Sequence, residues 1–273
     1  MIDIQQDQQE KKKELYEKNL NNIKRTIVVM SGKGGVGKST VSVNLAYSLA
    51  EKGNKVGILD VDIHGPSIVK MTGIENKRLV HQEGHSPTPV PVSENLLVLS
   101  IASLLQDPDS PVIWRGPMKM NLIKQFMEDI EWPELDYLIV DCPPGTGDEP
   151  LSVIQILKKI FGVIIVSTPQ ELAYLDVRKA INFAKKLEIP ILGIVENMTE
   201  IVCPYCGQRI ELFKAGSGEK ALKDFNIDLL GRIPFDVQVV QSGDTGKPFI
   251  GENADTEAGK IFNEITDKIL EKL

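Results

Sequence analysis

The chain of 273 residues is poor in cysteine, poor in histidine and free of long hydrophobic runs. Its three cysteines, Cys142, Cys203 and Cys206, form an odd and sparse set, which excludes a disulfide framework. No apolar stretch approaches the ~20 residues that a membrane-spanning helix needs. Residues 1–20 are polar and lack the apolar core of a secretion signal. A soluble, cytoplasmic protein with no membrane partner is therefore expected. An excess of positive charge is missing as well. Lys and Arg number 31 against 38 Asp and Glu, a formal charge of −7, which argues against a general nucleic-acid binder. There is no internal repeat and no clear linker. Hydrophobic content of 42% and charged content of 25% are ordinary globular values, so one large α/β domain is the simplest reading.

What is present is concentrated in residues 32–40: Gly32-Lys33-Gly34-Gly35-Val36-Gly37-Lys38-Ser39-Thr40. This satisfies the phosphate-loop pattern G-x-x-x-x-G-K-[ST] and adds a second lysine, Lys33, after the first glycine. Such a loop wraps backbone N–H groups around a polyphosphate, Lys38 reaches the β- and γ-phosphates, and the Ser39 hydroxyl is placed for Mg²⁺. The glycines let the backbone approach the anion where a Cβ would clash. Residues 26–30 form a β-branched apolar run, and residues 40–50 have helical spacing with Gly53 as a stop. Strand, glycine loop and helix together make an anion site at a helix N-terminus.

The remaining organisation fits that reading. Apolar strand runs are expected at 26–30, 55–61, 96–101, 137–140, 163–168, 191–196 and 229–233. Most lack alternation, as when helices cover both faces of a strand. Helical stretches at 118–130, 150–160, 174–187 and 219–225 lie between them, and this rhythm predicts a doubly wound, mostly parallel sheet flanked by helices. Residues 75–95, with Pro87, Pro89 and Pro91, are read as a loop or loose hairpin. Residues 1–24 are read as a solvated polar extension, and residues 25–273 as one nucleotide-binding domain.

Two acidic elements follow the loop in order. The first is Asp60-Val-Asp62-Ile-His-Gly-Pro-Ser67, placed at the end of a strand where ligands bind in parallel sheets; Asp62 is suited to orient or deprotonate a water. The second is Leu138-Ile-Val-Asp141, an apolar strand ending in the carboxylate that holds Mg²⁺ in a Walker B arrangement. It runs into Pro143-Pro-Gly-Thr-Gly-Asp148, a glycine loop able to follow a γ-phosphate.

These residues carry a resemblance. Gly32–Thr40 with Lys33 resembles the deviant Walker A motif of the MinD/ParA/nitrogenase-iron-protein class of ATPases. Residues 60–67 (DVDIHGPS), 112–120 (VIWRGPMKM), 141–150 (DCPPGTGDEP), 195–198 (VENM) and 203–207 (CPYCG) resemble the Mrp/ApbC branch, the iron–sulfur cluster carrier ATPases, over roughly residues 24–270. The resemblance implies a homodimer in which Lys33 reaches the partner's nucleotide. It gives Lys38 and Ser39 the phosphate and Mg²⁺ work, with Gly34, Gly35, Val36 and Gly37 lining the phosphates and Thr40 at the α-phosphate. It makes Asp62 the water-positioning residue of switch I, Asp141 the Walker B carboxylate, and residues 145–147 the switch II sensor. Asn197 matches an adenine-contacting asparagine, and Pro234 lies in a loop that packs on the base. ATP, Mg²⁺ and a [4Fe–4S] cluster are the implied ligands; apo iron–sulfur proteins and scaffold proteins are the implied partners. Many relatives carry a further folded N-terminal domain, where this chain has about two dozen polar residues.

Cys203-Pro-Tyr-Cys206-Gly207 is a metal knuckle that offers two thiolates to one metal. A second copy from another chain completes four ligands by two-fold symmetry, as in the family's bridging cluster. The spacing alone favours half of a zinc ribbon over an iron–sulfur site; the resemblance reverses that order. A redox pair is a third reading, disfavoured because the cysteines do not open a helix after an early strand. Cys142 is read as a buried structural thiol, and His64, His81 and His85 are given no role. Trp114-Arg115-Gly-Pro117 is read as a packing or dimer-surface motif, with Arg115 suited to pair with an acid. The helical pattern of 259–273, with Ile261, Ile265 and Ile269 on one face, is expected to dock on the core rather than on a membrane. A MinD/ParA-like positioning ATPase, a nitrogenase-type reductase and a zinc-stabilised nucleotide switch remain the competing functions.

Overall fold

A computed structural model describes residues 2–62, 65–80, 86–104, 116–171, 173–203, 205–211 and 222–272. His64, His81, His85, Trp114, Arg115, Pro204 and the start of the 219–225 helix lie outside the described residues.

Among the described residues, nine strands form one sheet. Its centre is β1 (Ile23–Met30), flanked by β5 (Leu135–Asp141) and β6 (Ile160–Ser167), both parallel to it. Beyond β5 lie β2 (Val56–Asp60) and β4 (Leu96–Ser100); beyond β6 lie β7 (Ile191–Val202) and β9 (Leu229–Phe235). All of these pairings are parallel. Two short strands are antiparallel: β3 (Val90–Ser93) on β4, and β8 (Arg209–Glu211) on the end of β7. The doubly wound α/β expectation holds, and each of the seven apolar runs became a strand. Residues 75–95 are not wholly loop, because Val90–Ser93 adds an edge strand beside β4. β6 already begins at Ile160, so the helix expected to reach that residue, α5 (Asp148–Leu157), ends earlier.

The lack of alternation in these strands has a direct cause. On β1, Ile27 and Val29 face one core, shared with α2 (Lys38–Glu51) and α9 (Glu257–Glu271). Val28 and Met30 face the other, shared with α1 (Ile2–Asn22), α4 (Gly116–Glu128), α5 and α6 (Ala173–Lys186). Along Ile27–Met30 every position is buried, and every position is apolar. The C-terminal helix docks as expected, with Phe262, Ile265 and Ile269 buried.

The solvated reading of residues 1–24 holds for the outer face of α1 only. Its inner face buries Tyr16, Asn19 and Leu20. Asn19 Nδ2 donates to the carbonyls of Met127 and Ile130, and the Trp132 N–H donates to Asn19 Oδ1 at 2.8 Å. The Tyr16 hydroxyl donates to Ile156 O at 2.6 Å. The helix is tied to the elements around β5, whose far end carries Asp141.

Candidate functional site

The order β2-β5-β1 places three strand ends side by side. Asp60 pairs with Asp141 across β2 and β5, and Val29 pairs with Asp141 across β1 and β5. The chain leaves β1 at Met30 and turns through residues 31–37 into α2. Gly37 caps that helix in the left-handed region (φ +82°), and no side chain caps its first N–H groups. Those N–H groups face the loop and define an anion site. A Cβ built on Gly34 or Gly35 meets nothing within 4 Å, which leaves room above the loop.

Lys38 opens α2 with a side chain only 6% exposed. Its Nζ lies 2.7 Å from Asp141 Oδ2 and 3.6 Å from Asp62 Oδ2. Burial by itself would lower the pKa of this ammonium; the carboxylates of Asp141, Asp62 and Asp60 outweigh it and hold the value above the ordinary lysine range. Ser39 Oγ donates to Asp141 Oδ2 at 2.6 Å, and Ser42 Oγ donates to Asp141 Oδ1 at 2.7 Å. Fully buried Asp60 accepts from Ser100 Oγ at 2.8 Å and from the Asp62 N–H at 3.1 Å. Burial, then the charge of Asp141, pushes its pKa up to about 8.

The structure therefore brings Lys38, Ser39, Asp62 and Asp141 together. Lys33 stands apart from this cluster, with its Nζ donating to Gln170 Oε1 at 2.8 Å. The Gly145 N–H donates to Ser31 O at 2.8 Å, which ties switch II to the phosphate loop. Thr40, Asn197 and Pro234 line one cavity of about 270 Å³ with Ser67, Phe235 and Val239. Asn197 Nδ2 donates to Val36 O at 2.9 Å, so the expected base contact also braces the phosphate loop. Three partners escaped the sequence reading. Asp60 sat inside the quoted acidic motif, Ser42 was one of many helical serines, and Gln170 carried no signal at all.

Cys203 and Cys206 sit at the turn between β7 and β8, far along β7 from Asn197. The Cys203 N–H donates to Gln208 O and the Gly207 N–H to Cys203 O, both at 2.9 Å, with Gly207 in the left-handed region. Hydrogen bonds from the backbone at Tyr205 and Cys206, then from the Cys206 side chain, lower the Cys203 pKa and favour its thiolate. Tyr205 is 97% exposed, so the knuckle opens to the surface. Among the described residues no group of three or more His, Cys, Asp or Glu could hold a metal, so the knuckle supplies two ligands and no more. Cys142 is buried, and its pKa is pushed up to about 12 by burial, as befits a structural thiol.

The residues fit a nucleotide and its Mg²⁺. The loop leaves open space where a Cβ would otherwise stand, and the buried Lys38 Nζ has no hydrogen-bond partner of good geometry. Ser39 and Asp141 converge as an oxygen pair suited to a hard cation. Fold and site together define a phosphate-loop NTPase with a doubly wound sheet.

Comparison with known proteins narrows the class. The model of the ParA family described as NUBPL iron-transfer P-loop NTPase matches residues 22–270, and the chain belongs to that family. Two curated relatives, both named iron-sulfur cluster carrier protein, are similar over nearly the whole chain. The one from Methanocaldococcus jannaschii is 48% identical, covering 93% of this chain and 87% of the relative. The one from Saccharolobus solfataricus is 47% identical, covering 92% and 84%. A nucleotide-binding protein from Archaeoglobus fulgidus, solved in complex with ADP and with cobalt, superposes with a TM-score of 0.76 at 40% identity, covering 86% of this chain and 92% of that one. MinD from Aquifex aeolicus shares the fold, with a TM-score of 0.65 at 20% identity over 90% and 97% of the two chains. No helix among the described residues is long and apolar enough to cross a membrane.

Proposed function

We propose that this protein is an ATPase that carries a [4Fe–4S] cluster as cargo and delivers it to apo iron–sulfur proteins, working as a homodimer in the cytoplasm. One observation carries the reading: a single strand, β7, bears Asn197 against the phosphate loop and runs directly into the exposed Cys203 knuckle. The carrier names of the relatives and the family description support it.

The geometry and the family resemblance support the following roles. The first N–H groups of α2 and Lys38 bind the phosphates. Ser39 and Asp141 would hold Mg²⁺, which would supply positive charge against the phosphate oxygens. Asp62 orients the attacking water, and its neighbour Lys38 draws charge from the phosphates. Lys33 leaves Gln170 for the nucleotide of the partner subunit. Asn197 and Pro234 hold the base. Cys203 and Cys206 supply two thiolates, and the same pair from a second chain completes four. A site so exposed and shared between subunits releases its cargo readily, and apo acceptors or scaffold proteins reach it without unfolding the core.

A second reading, zinc at the same four thiolates, has the knuckle geometry in its favour. Transfer separates the two. Cluster-loaded protein mixed with an apo-[4Fe–4S] acceptor enzyme should restore the acceptor's activity in proportion to the cluster supplied. Zinc-bound protein that takes up no cluster, or a loaded protein that never activates the acceptor, would overturn the carrier reading.

A further inference from the structure

Ser42 lies within α2, three residues after Ser39, and is wholly buried. The phosphate-loop pattern asks for no hydroxyl at this position. A serine inside a helix commonly returns its proton to the carbonyl four residues back, and Ser42 Oγ is 3.1 Å from Lys38 O. It is closer to Asp141 Oδ1, at 2.7 Å. The hydroxyl has one proton, and the shorter, charge-assisted contact is the stronger one.

The two oxygens of Asp141 are thus divided. Oδ2 faces Ser39 Oγ at 2.6 Å and Lys38 Nζ at 2.7 Å, on the side of the phosphate loop. Oδ1 is held by Ser42 from the interior of α2. A contact at one oxygen fixes where a carboxylate sits; a contact at the second fixes the plane in which it lies. Both hydroxyl contacts, from Ser39 and Ser42, come from α2, so helix and carboxylate are held as one unit.

We infer that Ser42 is a positioning residue for the metal-holding carboxylate. It turns Asp141 so that Oδ2 faces the cation accompanying the nucleotide, and it keeps that orientation when Lys38 turns to the phosphates. The inference rests on the nucleotide-binding reading above. Its effect belongs to the Mg²⁺-dependent part of nucleotide affinity, because the phosphate-binding N–H groups of α2 do not depend on the plane of Asp141.

The test is calorimetric titration of ADP in Mg²⁺ and in EDTA, for the wild type, Ser42→Ala and Ser42→Thr. Ser42→Ala should bind ADP in EDTA within about twofold of the wild type, and should lose about tenfold of the gain that Mg²⁺ brings. Ser42→Thr keeps the hydroxyl and should recover most of that gain. A full Mg²⁺ gain in Ser42→Ala would overturn the assignment. So would an equal loss in EDTA and Mg²⁺, which would make Ser42 a packing residue. Wild-type protein that binds no ADP under either condition would overturn the nucleotide reading itself, and this assignment with it.

Discussion

Alanine at Gly34 and at Gly37 separates the two tasks of the phosphate loop. Gly37 has φ +82°, a conformation that costs an L-residue about 1–2 kcal/mol. Its new Cβ would fall 2.1 Å from Asn197 Nδ2, so the amide must leave Val36 O and give up a hydrogen bond of about 1 kcal/mol. The sum, about 2–3 kcal/mol, corresponds to a Tm lowered by roughly 4–12 °C in a chain of this size. Gly34 is outside the left-handed region and its Cβ meets nothing within 4 Å, so the fold should tolerate alanine there. That open space is the phosphate's, however, and nucleotide affinity should fall. Thermal unfolding without nucleotide, followed by ADP titration, measures both effects. In an Asn197→Ala background the obstruction at Gly37 is gone, so the combined loss should be smaller than the sum of the two single losses. The reasoning fails if Gly34→Ala lowers Tm as much as Gly37→Ala, or if Gly34→Ala binds ADP like the wild type.

Other outcomes follow from the same geometry. Lys38→Ala should abolish ATP turnover, and Asp62→Ala should spare ATP binding while stopping hydrolysis; normal turnover in either variant, read by phosphate release, removes that residue from the mechanism. Asp60, with its pKa raised to about 8, binds a proton in the folded chain that the unfolded chain has lost, so without nucleotide the stability it contributes is present at low pH and is lost as pH rises through about 8. Asp60→Asn should flatten the fall of Tm between about pH 4 and 8, and an unchanged slope would count against the buried acid. Asn19→Ala leaves the Met127 and Ile130 carbonyls and the Trp132 N–H without their partner, and should cost about 2–4 kcal/mol in denaturant unfolding. A loss below about 0.5 kcal/mol would mean that α1 is not anchored by this residue.

The central strands and the phosphate loop were legible because burial on both faces leaves a run of apolar residues and little else. Val90–Ser93 was hidden by its proline and its edge position, and Arg209–Glu211 by its length of three residues, all exposed. The packing of α1 was masked by its polar composition, although Tyr16 and Leu20 lie one helical turn apart and both are buried. At the site, pattern located Lys38, Ser39 and Asp141 because their chemistry fixes their spacing. Asp60, Ser42 and Gln170 act through contacts across 40 to 137 residues of sequence, and local spacing does not encode such contacts. The same holds for Asn197, whose place was given by resemblance and whose bond to Val36 only the fold reveals.

The most direct measurement is anaerobic reconstitution with iron and sulfide, for the wild type and for Cys203→Ser/Cys206→Ser, with iron, sulfide and zinc counted per dimer. The account predicts about four irons and four sulfides per wild-type dimer and none in the double variant. A cluster retained without these cysteines, or one tightly held zinc per wild-type dimer with no cluster formed, would contradict it.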